Sequence, residues 1–229
     1  MLWIEDFFSL VFPKICVACG NNLLKNEFVI CTRCEYHLPK TGFHLDPENP
    51  ASRLFWGRVR LENCASYLFF TKGEKVQRMI HHLKYKGRKD IGFFLGKRYG
   101  YSLRESPSFM SVEVIVPVPL HKKRLMQRGY NQSEQFANGL KASMGIPVDS
   151  YALIRTKNTG TQTKKSRFSR WENVAEMFYV PDPSRIAGKH VLLVDDVITT
   201  GATLEACARA MLKFPGVKVS VASIAVAIH

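Results

Sequence analysis

No run in this 229-residue chain approaches the ~20 consecutive apolar residues that a bilayer span requires. Acidic residues are scarce: 19 Asp and Glu stand against 33 Lys and Arg, for a formal charge of +14. The deficit is local as well as global. His121, Lys122, Lys123, Arg124 and Arg128 fall in 121–128 without one acid, and Arg155, Lys157, Lys164, Lys165, Arg167 and Arg170 fall in 155–171 likewise. The segment from Lys72 to Arg104 is also strongly basic. Such clusters suit anionic partners, whether nucleotides, nucleic acid or an anionic surface. Charged residues are only 23% of the chain against 46% hydrophobic, which excludes a disordered protein and predicts a packed core. A secretory leader is missing too. MLWIEDFFSLVF carries Glu5 and Asp6 where a basic segment would stand, and Pro13-Lys14 follows without a small-residue cleavage site. The stretch is expected to form a short amphipathic helix packed on the body; the alternative, a membrane-surface anchor, lacks the usual polar-face Lys and Arg. The length allows one α/β domain and a small appendage.

What is present is concentrated in VLLVDDVITTGAT, residues 191–203. Val191 to Val194 read as a buried strand, followed by the adjacent carboxylates Asp195 and Asp196 and a hydroxyl-rich turn. The helix LEACARAMLKF comes next, with Thr203 or a neighbour as its cap. Backbone N–H groups at such a turn, with the positive helix end, make a phosphate cradle, and Gly201 lets the backbone approach closely. A carboxylate pair beside the cradle can accept hydrogen bonds from vicinal hydroxyls. Phosphate on one side and a diol on the other describe a ribose 5-phosphate. The pattern resembles the 13-residue phosphoribosyl-pyrophosphate (PRPP) motif of type I phosphoribosyltransferases.

Four of the six cysteines form C-x2-C-x11-C-x2-C: Cys16, Cys19, Cys31 and Cys34. Two such turns suit one tetrahedral zinc ion held by four thiolates, and Gly20 fits the tight first turn. Disulfides are disfavoured without an export signal. No open ligand position is evident, so the zinc is expected to be structural. Cys64 and Cys207 sit in apolar contexts and read as small core residues.

Along the chain, residues 1–40 are expected to form the N-terminal helix and zinc ribbon, 41–63 a turn-rich linker, and 64–229 the main domain. Strands are expected at 64–70, 112–119, about 148–154, 175–180, 191–194 and 217–228. Helices are expected at 74–86, 90–104, 131–144 and after the motif. Alternating strands and helices predict an α/β fold with a largely parallel sheet flanked by helices, with ligands beyond the carboxyl ends of the strands. PVPLHKKRLMQRGYNQSEQFA, 117–137, begins where a core strand ends, the place where phosphoribosyltransferases hold pyrophosphate, so that resemblance makes Val118, Pro119, Leu120 and His121, with Arg124 or Arg128, candidates to hold it. RTKNTGTQTKKSRFSRWENV, 155–174, reads as a long loop, with Thr161, Gln162 and Arg167 as candidate contacts. Trp56, Tyr85, Phe168 and Trp171 lie near basic residues, where they can stack on bases or pack in the core.

The assembled chain resembles the ComF family of competence-associated phosphoribosyltransferase-like proteins. The resemblance covers nearly the whole length. It rests on the apolar stretch ending in Phe12-Pro13 before the ribbon, on 117–137, on the TQT…R…N…F stretch of 161–178, and on VLLVDDVITTGATLEACARAM. It implies the type I phosphoribosyltransferase fold in a cytoplasmic bacterial protein, peripheral at most to the inner membrane face. That protein would handle incoming single-stranded DNA in natural transformation, with DNA-uptake or helicase proteins as partners. An enzyme of this kind would lay PRPP with Mg²⁺ across the sheet edge. Asp195 and Asp196 would hold the ribose hydroxyls and stabilise charge developing on the ring. Thr199, Thr200, Gly201, Ala202 and Thr203 would fix the 5-phosphate. Purine-salvage relatives carry an aspartate base where this chain has Thr199, which counts against a hypoxanthine or guanine acceptor. The alternatives are a non-catalytic protein that binds PRPP or nucleotide and single-stranded DNA, a phosphoribosyltransferase acting on another nitrogen nucleophile in nucleotide metabolism, and a scaffold.

Overall fold

The computed structural model of the chain describes residues 13–155 and 177–228. The expected N-terminal helix and the loop candidates Thr161, Gln162, Arg167, Phe168 and Trp171 lie outside the described residues. Strands are β1 (Cys64–Phe69), β2 (Val114–Pro117), β3 (Ile154–Arg155), β4 (Phe178–Tyr179), β5 (His190–Ile198) and β6 (Lys218–Val226). The α-helices are α1 (Thr32–Tyr36), α2 (Pro50–Arg53), α3 (Lys75–Tyr85), α4 (Asp90–Glu105), α5 (Lys122–Arg128), α6 (Gln132–Met144) and α7 (Ala202–Met211).

Apolar runs build the centre. β2, β5 and β6 bury nearly every residue, as strands covered on both faces must. They form a parallel sheet in the order β1-β6-β5-β2, with Val114 opposite Val191 and Leu193 opposite Val221. All four strands therefore end at one edge. The motif strand is longer than expected. β5 runs to Ile198, so Asp195 and Asp196 lie within it, and Asp195 pairs in register with Ser223. The expected strand at 148–154 is reduced to a one-residue bridge, Ile115 to Val148, and the short antiparallel β3–β4 pair. Asp149 is the cause: its Oδ1 accepts the N–H of Tyr151 at 2.9 Å, an Asx turn that bends the chain away.

Residues 41–63, expected as a linker, contain deeply buried groups. Asn49 is fully buried: its Oδ1 caps α2, and its Nδ2 donates to the carbonyls of Phe43, Asp46 and Cys64. Phe55 is 1% exposed. Among the described residues no helix is long and apolar enough to cross a membrane.

Helices α4 and α6 meet along a seam of glycines. A Cβ on Gly96 would lie 2.2 Å from the Phe136 carbonyl oxygen, and one on Gly139 would lie 2.2 Å from that of Phe93. The two backbones are thus nearly in contact. Gly139→Ala should force them apart and lower stability by about 1–3 kcal/mol, whereas Lys141→Ala on the exposed face should change it little. Thermal and denaturant unfolding of the two variants check this.

Candidate functional site

The site grows from the carboxyl ends of β2 and β5. After Pro117 the chain leaves β2, but Val118 still donates its N–H to the Val194 carbonyl at 2.9 Å. The Val118 carbonyl in turn accepts Asn131 Nδ2 at 3.0 Å, and Asn131 Oδ1 caps α6 through the N–H of Ser133 at 3.1 Å. The start of α6 is thereby fixed against the end of β2. This sets Ser133, whose hydroxyl donates to Asp195 Oδ1 at 2.8 Å. Asp195 Oδ1 also accepts the N–H of Asp196. Asp196 is buried and pairs with Lys84 Nζ at 2.9 Å, from the end of α3.

Burial, and then the adjacent Asp196 carboxylate, push the Asp195 carboxyl up to about 7, against the lowering effects of Ser133, the Asp196 amide and Lys84. A carboxylate raised this far is short of positive partners and is suited to accept hydroxyl donors or a cation.

A cleft of about 340 Å³ opens in front of the pair. Its anionic floor is Asp195 and Asp196; its walls carry the cations Lys84, Arg124, Arg128 and Arg155. Arg155 is half-buried, its Nε has no hydrogen-bond partner among the described residues, and burial followed by the nearby Arg124 lowers its pKa. Four cations around two carboxylates make a cleft for a polyanion that also carries hydroxyls.

A small hollow of about 40 Å³ adjoins it, lined by Asp195 and the turn Thr199–Leu204. The turn is as tight as its sequence suggested. Gly201 has φ 74°, in the left-handed region, and is itself the N-cap of α7; of the expected cap, Thr203 or a neighbour, it is the Thr200 hydroxyl that accepts the N–H of Ala202, at 3.5 Å. The first N–H groups of a helix have no intrahelical partner, and here they border the hollow.

Of the expected pyrophosphate residues, Val118, Pro119, Leu120, Arg124 and Arg128 line the cleft. His121 does not; its Nδ1 accepts the N–H of Lys123 at 3.2 Å and caps α5. Sequence reasoning missed Lys84, Gln132 and Ser133, and counted Arg155 only as charge. Ser133 had a signal, since Asn131 was legible as the start of a helix following the β2 turn. Lys84 had none beyond its basic surroundings. Tyr85, noted for stacking, lies at the cleft mouth with the Arg128 guanidinium 5.2 Å from its ring centre. The exposed Trp56 lies against Arg53 instead.

The second centre is the cysteine cluster. The four Sγ atoms lie within 4.8 Å of one another, and Cys19 Sγ is 3.8 Å from Cys31 Sγ. Thiolates at ~2.3 Å from one tetrahedral ion stand ~3.8 Å apart, so the spacing fits a shared metal rather than a disulfide. Burial raises the Cys16 thiol, but the amides of Cys31, Cys19 and Ala18 outweigh it and bring it down to about 7. Burial and the neighbouring thiols push Cys34 up to about 12. Four thiols so close need a cation to ionise together. The ribbon is docked on the main domain: Arg78 of α3 donates to the Ala18 carbonyl at 3.0 Å, and Arg98 of α4 pairs with Glu35 of α1 at 2.7 Å.

Comparison with known proteins agrees with this geometry. Residues 131–228 match the phosphoribosyl transferase domain family. The DNA utilization protein YhgH of Escherichia coli K12 is 30% identical over 224 residues, covering 89% of this chain and 93% of that protein. The competence protein ComFC of Bacillus subtilis is 28% identical over 201 residues, covering 87% of this chain and 78% of its own. The competence protein F of Haemophilus influenzae is 36% identical over 102 residues, covering 44% of each.

Proposed function

We propose, for a chain that belongs to the ComF family of phosphoribosyltransferase-like proteins, that its cleft binds PRPP and that its basic surface handles single-stranded DNA in the cytoplasm during natural transformation. The observation that carries the first half is the carboxylate pair Asp195–Asp196 placed between a phosphate-sized hollow and a cation-lined cleft. In this reading Thr199, Thr200, Gly201, Ala202 and Thr203 hold the 5-phosphate through backbone N–H groups and hydroxyls. Asp195 and Asp196 exchange their present partners, Ser133 and Lys84, for the ribose hydroxyls. Arg124, Arg128 and Arg155, with the backbone of Val118 to Leu120, face the pyrophosphate. Thr161, Gln162 and Arg167, which lie outside the described residues, are further candidate contacts for it. Mg²⁺, when bound with PRPP, would neutralise pyrophosphate charge, and the carboxylates and phosphate oxygens are the hard donors it prefers.

Cys16, Cys19, Cys31 and Cys34 would hold one zinc ion, which folds the ribbon and takes no part in chemistry. The second half of the proposal is supported by the relatives, named for DNA utilization and competence, and by the +14 charge with its two acid-free clusters. DNA-uptake or helicase proteins are the partners this role implies.

Three experiments test the reading. Calorimetric titration with PRPP and Mg²⁺ should show one site per chain. Asp195→Asn with Asp196→Asn should weaken binding at least tenfold while the far-UV spectrum stays native; equal binding by the double variant means that the site lies elsewhere. Elemental analysis of protein purified without chelators should give one zinc per chain, and Cys31→Ser should release it and loosen the ribbon with the main sheet still folded. Single-stranded DNA binding should weaken steeply with salt, about 0.7 in the log–log slope per neutralised phosphate, and replacing Lys164, Lys165 and Arg167 by Ala should flatten that slope by up to about two units. A flat salt profile, or a slope unchanged in the triple variant, removes this loop from DNA contact.

A further inference from the structure

The phosphate turn has a back side, and it is built from a segment far away in sequence. Phe55 lies directly behind Gly201: a Cβ on the glycine would stand 2.9 Å from two atoms of the ring. Three residues on, the Arg58 guanidinium donates from one nitrogen to the carbonyls of Thr200 at 2.9 Å and Leu54 at 2.8 Å. Its Nε and other terminal nitrogen reach one oxygen of Glu205, at 2.9 and 2.5 Å. Glu205 lies in the first turn of α7 and is only 5% exposed. Its second oxygen accepts from Arg209 at 3.0 Å, and Arg209 also donates to the Arg58 carbonyl.

The chemistry of that arrangement has a clear direction. A buried carboxylate in the first turn of the helix that faces an incoming phosphate repels it, because both anions claim the same positive helix end. Arg58, together with Arg209, compensates the carboxylate and, through the same rigid fork, pins the Thr200 carbonyl to the rear. Pinning the carbonyl backwards turns the N–H of Gly201, in the same trans peptide, to the front. Lysine carries the charge but lacks the planar fork by which Arg58 reaches Glu205 and the Thr200 carbonyl from separate nitrogens.

We propose that Arg58 is the positioning residue of the phosphate turn: by neutralising Glu205 and holding the Thr200 carbonyl it makes the turn a phosphate receptor, without touching the phosphate. The inference rests on the assignment of this turn to the ribose 5-phosphate group. It also gives residues 54–58 a role that their turn-rich sequence does not suggest.

The test is calorimetric titration with ribose 5-phosphate, which uses the turn and the carboxylate pair but not the pyrophosphate side of the cleft. Arg58→Gln should raise Kd roughly tenfold, the effect of losing one charge-assisted contact network. Adding Glu205→Gln to that variant should recover part of the affinity, since no buried anion then opposes the ligand while the Thr200 carbonyl stays unheld. Arg58→Lys should fall between parent and Arg58→Gln. A residue that merely packs the segment gives no such recovery, because Glu205→Gln removes a further partner and can only loosen it. Equal affinity of parent and Arg58→Gln, or a double variant no better than Arg58→Gln, overturns the inference and leaves the PRPP site intact. Should Arg58→Gln fail to fold, Arg58→Lys carries the test, and an unchanged Kd in it overturns the inference. A parent that binds no ribose 5-phosphate removes the proposed site and this inference together.

Discussion

Two adjacent carboxylates at the end of a buried strand have to be compensated, and the arrangement of this domain follows from how that is done. Ionised groups lose much of their hydration in such a place, so each needs a donor or a cation within reach. Asp195 takes its donor from Ser133 at the start of α6, and Asp196 takes its cation from Lys84 at the end of α3. The compensation is incomplete, as the raised Asp195 carboxyl records. An unfolded aspartate titrates near 4. The fold therefore gives up stability as pH rises from there towards 7, where the chain must hold Asp195 ionised. A site kept in this state accepts a ligand with hydroxyls or a cation more readily than one whose charges are already satisfied.

The sheet was legible because β5 and β6 are long apolar runs, and a strand buried on both faces leaves that mark in any sequence. The helices at 75–85, 90–105 and 132–144 were legible for the corresponding reason, one apolar stripe each. The strand expected at 148–154 is reduced to its two ends, because the hydrogen bond that Asp149 accepts from Tyr151 overrides the β-forming residues around it. The region 41–63 was read as a linker from its Asp, Asn and Pro content. Those residues are turn formers, but Asn49 uses its turn chemistry in the interior, where its amide binds three carbonyls.

The site was legible to the extent that it is local. The carboxylate pair, the Thr/Gly turn and the helix after it follow one another in the chain, so order alone exposes them. Lys84 and Asp196 meet although they stand 112 positions apart in the chain (196 − 84), and Arg58 and Glu205 although they stand 147 apart. No periodicity records such a pair. His121 shows the opposite error: a residue in the right stretch whose ring nitrogen is taken up by a helix end.

The glycine seam between α4 and α6 has a mechanical consequence. Side chains yield by changing rotamer, but peptide groups in contact do not, so these two helices form a strut of fixed width. The diacid wall of the cleft, anchored through Ser133 on α6, inherits that stiffness. The opposite wall is α5, which buries none of its residues and so is held by little beyond its two ends. The cleft is thus bordered on one side by a wall braced through backbone contact and on the other by a helix with no buried residue.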